Sequence, residues 1–236
     1  MLPYDLNTPL FTDYAHKLRT VWMPEGASAR YDAEQSFDFP VGTIISKTFY
    51  YPRLEGESRD SNSVLRSEGH EGALPGGRLD LDKVRLIETR LLVRREAGWI
   101  ALPYVWNAAQ TEARLMRTGE LVPLVLVDAD GAREEADYQV PDGNQCAGCH
   151  GSDLSTRDIH PIGPKARHLN RDFAYPGVDG APVSPNQLEQ WQRLGYLEGL
   201  PEAAAVPRVA DWQDPAESLD ARARAYLDIN CSHCHS

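Results

Sequence analysis

The stretches 144–151 (NQCAGCHG) and 229–236 (INCSHCHS) carry the same pentad, C-x-x-C-H, and between them use all four cysteines of the chain. Each pentad sets two thiols about one helical turn apart, with an imidazole directly after the second. That spacing is the attachment signature of c-type haem. Each thiol adds to one porphyrin vinyl group, and the histidine turns under the ring as the proximal iron ligand. Other chemistries also use C-x-x-C. A zinc site wants four N or S ligands, but it does not require histidine at the same place in two widely separated pairs. A thioredoxin-like dithiol opens a helix after a strand in a βαβ unit, and neither pair lies in such a pattern. A disulfide within C-x-x-C closes a tiny loop and gains little stability. The doubled pentad therefore predicts two covalently held haems. One is on Cys146, Cys149 and His150, the other on Cys231, Cys234 and His235, with His150 and His235 ligating iron.

Haem attachment of this kind takes place outside the cytoplasm, so a periplasmic or other exported location is expected. The first residues, MLPYDLNTPLFTDY, show no basic region followed by an apolar one, and the chain is expected to lack its signal peptide. No apolar run approaches the roughly 20 residues that span a bilayer. A net charge of −11 disfavours nucleic acid, whose phosphates it repels. The same charge suits a basic redox partner, because opposite fields steer encounter.

The periodicity predicts an α+β chain. GTIISKTFYY (42–51) reads as a strand, VRLIETRLLVRRE (84–96) and WIALPYVWN (99–107) as a hairpin, and LVPLVLVDADGAREEADYQV as two strands about a D-G turn. Residues 52–83 are polar and glycine-rich and read as a long surface excursion. Three segments look helical near either end and in the middle. They are NTPLFTDYAHKL, with Thr8 as cap; NAAQTEARLMRTG (107–119); and DPAESLDARARAYLDINCSHCHS, with Asp214 as cap. In the last, Leu219, Ala223, Tyr226 and Leu227 form the expected apolar face. A further helix, SPNQLEQWQRLGYL, is capped by Ser184 and buries Leu188, Trp191 and Leu194. The expected division is a β-rich domain over 1–165 with the first haem, a connecting segment over 166–213 with one helix, and the start of a second, helical domain over 214–236.

The blocks LNTPLFTDYAHKLRTVWMPEG, FPVGTIISKTFYYP, GWIALPYVWNAAQTEA, NQCAGCH, PIGPKARHLNRDF and RARAYLDINCSHCH together resemble a bacterial family of exported dihaem c-type cytochromes. More distantly, residues 38–160 are similar to the β-sheet cytochromes c-prime and to hydroxylamine-oxidising cytochromes with a lysine-crosslinked haem. The segment from 214 looks like the first helix and motif of a class I cytochrome c domain. Family members continue past the second motif to a distal methionine, so the resemblance implies that this chain is a fragment. Lys47 lies in a strand like that of the crosslinking lysine, but no alignment assigns it that role.

In class I cytochromes a proline carbonyl downstream of the motif accepts a hydrogen bond from the proximal imidazole, and Pro161 and Pro164 lie in that range. Candidates for the sixth position of the first iron are Met23, Met116, His16, His70, His160 and His168. His233, between the cysteines of the second motif, should point away from its own haem. Two functions follow. One is electron transfer between redox proteins, with the haem iron cycling between Fe(II) and Fe(III). The other is a haem enzyme or small-gas binder with an open face at the first haem.

Overall fold

The computed structural model describes residues 1–67, 72–151, 158–177 and 181–235. Nine strands of three or more residues run, in chain order, as β1 (Leu2–Tyr4), β2 (His16–Trp22), β3 (Ile44–Pro52), β4 (Ser63–Leu65), β5 (Val84–Arg95), β6 (Gly98–Trp106), β7 (Ala113–Leu115), β8 (Glu120–Val127) and β9 (Arg133–Val140). The helices are α1 (Gly143–His150), α2 (Ala166–Leu169), α3 (Gln187–Arg193) and α4 (Leu219–Cys231). The chain is α+β and strand-rich. No helix among the described residues is long and apolar enough to cross a membrane.

The larger sheet has the order β1-β2-β3-β5-β6-β7, antiparallel throughout. The smaller one is β9-β8-β4, in which β4 joins β8 in parallel. Thus the polar excursion after residue 52 contains a short strand, and its Val64 is fully buried. The predicted strands at 42–51, 84–96, 99–107 and 121–140 are all present. Their β-branched and aromatic residues suit a pleated, half-buried surface. Between β3 and β5 the register slips by one residue after Phe49, a bulge that sharpens the sheet's twist.

Two apolar clusters lie along this arrangement. In one, Phe49, Ile87 and Val105 of the larger sheet pack on Leu124, Tyr138 and Val140 of the smaller. In the other, Tyr4, Val21 and Ile45 meet Leu169 of α2, Leu188 and Trp191 of α3, and Ile229 of α4. The segment carrying the second motif therefore packs into the same core as the strands.

Several expected helix features are corrected. Residues 7–15 are not helical, because their capping groups bond elsewhere. The Thr8 hydroxyl donates to Ala210 O at 2.9 Å, and the Asn7 amide donates to Arg167 O and Asn170 O, both at 3.2 Å. Phe11 N–H donates to Asn230 Oδ1 at 2.8 Å. The following turn puts Asp13 and Tyr14 at positive φ and is held by the Tyr51 hydroxyl on Asp13 O at 2.6 Å. Residues 107–119 form a turn and β7 instead of a helix. Asn107 Oδ1 accepts from Thr111 N–H, and Gln110, at φ 59°, bonds both the N–H and the carbonyl of Leu86. Such local side-chain bonds compete with helix. The cap of α3 is Asn186 rather than Ser184, and Leu194 is exposed. The cap of α4 is Ser218 rather than Asp214, whose carboxylate closes its own turn onto Ala216 N–H at 2.9 Å. The buried residues of α4 are Ala225 and Ile229, whereas Leu219 and Leu227 face solvent.

Candidate cofactor-attachment site

The first motif is the body of α1, and its start is fixed by a reciprocal cap. Asp142 Oδ1 accepts from the N–H groups of Asn144 and Gln145, both at 2.8 Å, and Gln145 Oε1 accepts from Asp142 N–H at 2.9 Å. Two of the orphan donors of a helix start are thereby satisfied. The cap sets the rotation of α1, so that Cys146 is buried, Cys149 is exposed and His150 ends the helix. Gly119 supports this junction. Its φ is +72°, and a Cβ there would lie 2.7 Å from Val140 O and 3.1 Å from Asp142 N.

His150 Nδ1 lies 2.7 Å from the carbonyl oxygen of His160, and His160 N–H donates back to His150 O at 2.8 Å. A carbonyl can only accept, so Nδ1 carries the proton and Nε2 keeps its lone pair. Burial, then the charge of Lys47, push His150 down to about 4 against the opposing bond to His160. The ring is neutral at pH 7. The accepting carbonyl is that of His160, not of the expected Pro161 or Pro164, although both prolines border the same space.

That space is a cavity of about 440 Å³ bounded by Cys146, Cys149 and His150 on the α1 side. Apolar side chains of Leu6, Ile45, Leu92, Ile162 and Ile229 supply much of its wall. Its volume lies within the ~300–1,000 Å³ range of cofactor and ligand sites. The sheet contributes four cations, Lys17, Arg19, Lys47 and Arg90. Three of them form a row across adjacent strands, since Arg19 pairs with Lys47 and Lys47 with Arg90. Arg19 is held by Asp5 at 2.6 Å. Arg90 forks onto the fully buried Glu88 at 2.8 and 2.5 Å, and Tyr138 Oη donates to the same carboxylate at 2.6 Å.

A second cavity, of about 730 Å³, lies beyond Cys149 and His150 and is also bounded by Ser232 and His233 of the second motif. His233 thus borders the same space as Cys149 and His150. Cys231 is half-buried, while Cys234 and His235 are exposed. The helix bearing them is clamped by Asp228. Arg167 donates twice to its carboxylate, at 2.6 and 2.9 Å, and His168 Nε2 lies 3.0 Å away.

Of the sixth-position candidates, Met23 is buried in the core and Met116 packs beside the other cluster. His16 stacks on Tyr50, and His168 is held by Asp228. His160 borders the larger cavity. His70 lies outside the described residues. Of the described candidates, none lines the smaller cavity. Among the described residues no three of His, Cys, Asp or Glu converge closely enough to hold a metal ion unaided. The donor set does fit a c-type haem, which asks each motif for two thiols and one imidazole nitrogen. The cation row and the His160 carbonyl were not found from sequence. The first depends on strand register and the second is a backbone atom. Alternation of Lys17 and Arg19 on one strand face was the one available signal.

The Asp228 clamp makes a prediction. Partial burial pushes this carboxyl up, but hydrogen bonds from His168 and Arg167, with their charges, outweigh burial and hold it well below the usual carboxylate range. A depressed carboxylate stabilises the fold above its unfolded value of about 3.9, and that stability is lost as pH falls toward the folded value. Asp228→Asn is expected to cost about 1–2 kcal/mol at pH 7, the buried-pair figure discounted for partial exposure. Urea unfolding at pH 7 and pH 3 should show the gap between variant and wild type closing in acid. A gap that persists unchanged at pH 3 contradicts the assignment.

Set against known protein families, curated proteins and solved structures, the chain matches none of them.

Proposed function

We propose that this protein is an exported dihaem c-type cytochrome that passes electrons between redox proteins. The observation that carries the reading is the shared cavity, since residues of both C-x-x-C-H motifs border the same space. Haems held by motifs that border one cavity would exchange electrons without a further carrier. Cys146 and Cys149, and Cys231 and Cys234, would form the thioether links, and His150 and His235 would ligate iron. The bound haems supply one-electron chemistry. The chain holds the His150 ring by the Nδ1–H bond to His160, which fixes its orientation and raises its basicity as a ligand. Apolar side chains exclude water around the first site. The net charge of −11 supports a basic partner. The finer arrangement, a β-rich domain with one haem followed by the opening helix of a class I cytochrome c domain, belongs to the same proposal.

A second reading is ligand binding or catalysis at the first site. It is favoured because no methionine or histidine among the described candidates borders the smaller cavity. Protein matured in a haem-attaching, exporting host should gain the mass of two haems, and Cys149→Ser should gain one fewer. Recovery of zinc-loaded, haem-free protein would sink the proposal. The optical spectrum of the oxidised protein then separates the two functions. A high-spin component is expected from an open first site, and two low-spin haems would leave electron transfer alone.

A further inference from the structure

We propose that the wall of the smaller cavity formed by Lys17, Arg19, Lys47 and Arg90 is an anion site, taking a small oxyanion or carboxylate. The idea rests on the haem reading only in placing the site beside the first motif. The cations are arranged at a cost. Arg19, Lys47 and Arg90 stand directly opposite one another on adjacent strands, and like charges so placed destabilise a sheet. Asp5 and Glu88 neutralise the two arginines. Among the described residues no carboxylate lies within ion-pair distance of Lys17 or Lys47. Lys17 Nζ donates only to a carbonyl, Ala15 O, at 2.9 Å, and Lys47 lies over the Phe49 ring at 5.1 Å.

Burial and crowding weaken the hold of both lysines on their protons. Burial first, then Arg19 and the neighbouring cations, push Lys17 down to about 6, and burial with Arg90 and Arg19 pushes Lys47 down to about 7. An anion in the cavity would reverse both, and would gain charge-assisted hydrogen bonds in a partly desolvated space. A haem brings carboxylates of its own, so two sources share this chemistry. Lys47 and Arg90 act electrostatically on both Cys146 and His150. Both also border the cavity that Cys146 and His150 border, whereas a bound haem would direct its carboxylates to the edge away from the thioether links. This favours a free anion.

The test uses matured, haem-loaded protein, with nitrite and formate as probes and imidazole as a neutral control. Binding is followed by the Soret band and by calorimetry. The wild type is expected to bind both anions, and the Lys17→Met/Lys47→Met variant to bind them at least tenfold more weakly with imidazole unchanged and two haems retained. Relief of repulsion predicts a melting temperature at or above the wild type's. A variant that unfolds would show that the lysines already hold a structural partner, and would overturn the idea. So would a wild type that binds neither anion. If in addition the variant loses its first haem, the lysines serve the porphyrin carboxylates instead. A wild type with no haem at the first motif would sink the haem reading by mass alone, and calorimetry on that same protein would still decide the anion site.

Discussion

Glu88→Ala is expected to lower the unfolding free energy by about 3–5 kcal/mol, the usual cost of stripping one partner from a buried ion pair. Glu88 is fully buried and is the common acceptor for the Arg90 fork and the Tyr138 hydroxyl. Its removal leaves a guanidinium facing Lys47 with no counter-charge, and a phenol without its acceptor. Glu88→Gln keeps an amide oxygen for one of these donors, so its loss should be smaller. Urea denaturation of both variants provides the check. An alanine variant within about 1 kcal/mol of wild type would mean the network contributes little.

Trp191→Ala is the second large effect. Its indole is fully buried, edge-on to Tyr4 at 5.5 Å between centroids and near Phe37 at 6.3 Å. Removing it leaves a cavity and should cost about 3–5 kcal/mol. For a chain of this size that is a fall of roughly 6–20 °C in melting temperature. Trp191→Phe refills most of the volume and should cost much less. Because Ile229 of α4 belongs to the same cluster, the alanine variant should also expose α4 to protease sooner than it exposes β5. Equal rates at both places would show that α4 is held by Asp228 alone.

The sequence made some of this legible. Strands such as 44–52 and 84–106 stood out because they are rich in β-branched and aromatic residues, with a short A-G turn inside the second stretch. The pentads stood out because their spacing alone sets two thiols and an imidazole side by side. The misread helices share a cause. The Thr8 hydroxyl bonds a distant carbonyl instead of capping, whereas Asp214 and Asn107 close local turns onto Ala216 and Thr111 N–H, and such bonds compete with helix. The expected stripe Leu219, Ala223 and Leu227 is a separate case. Periodicity shows that a face is apolar, while the neighbouring core selected Ala225 and Ile229. The cation row was beyond reach for a different reason. Lys17, Lys47 and Arg90 are far apart in the chain, and only the register of three strands brings them together.

The threading of residues 7–11 through the later half of the chain bears on the order of assembly. Phe11 is bonded to Asn230 across 219 positions, and Thr8 to Ala210 across 202. Contacts of such long range form late, because the loop they close must first lose its freedom. The cavity beside Cys146 takes its walls from Leu6 and Leu10 at one extreme and Ile229 at the other. A chain emerging from its N-terminus would present the first thiol pair well before that enclosure could exist. On the proposed haem reading, attachment would therefore find Cys146 and Cys149 on an open chain. Closure of the walls would follow as the last act of folding, sealing in whatever had been attached.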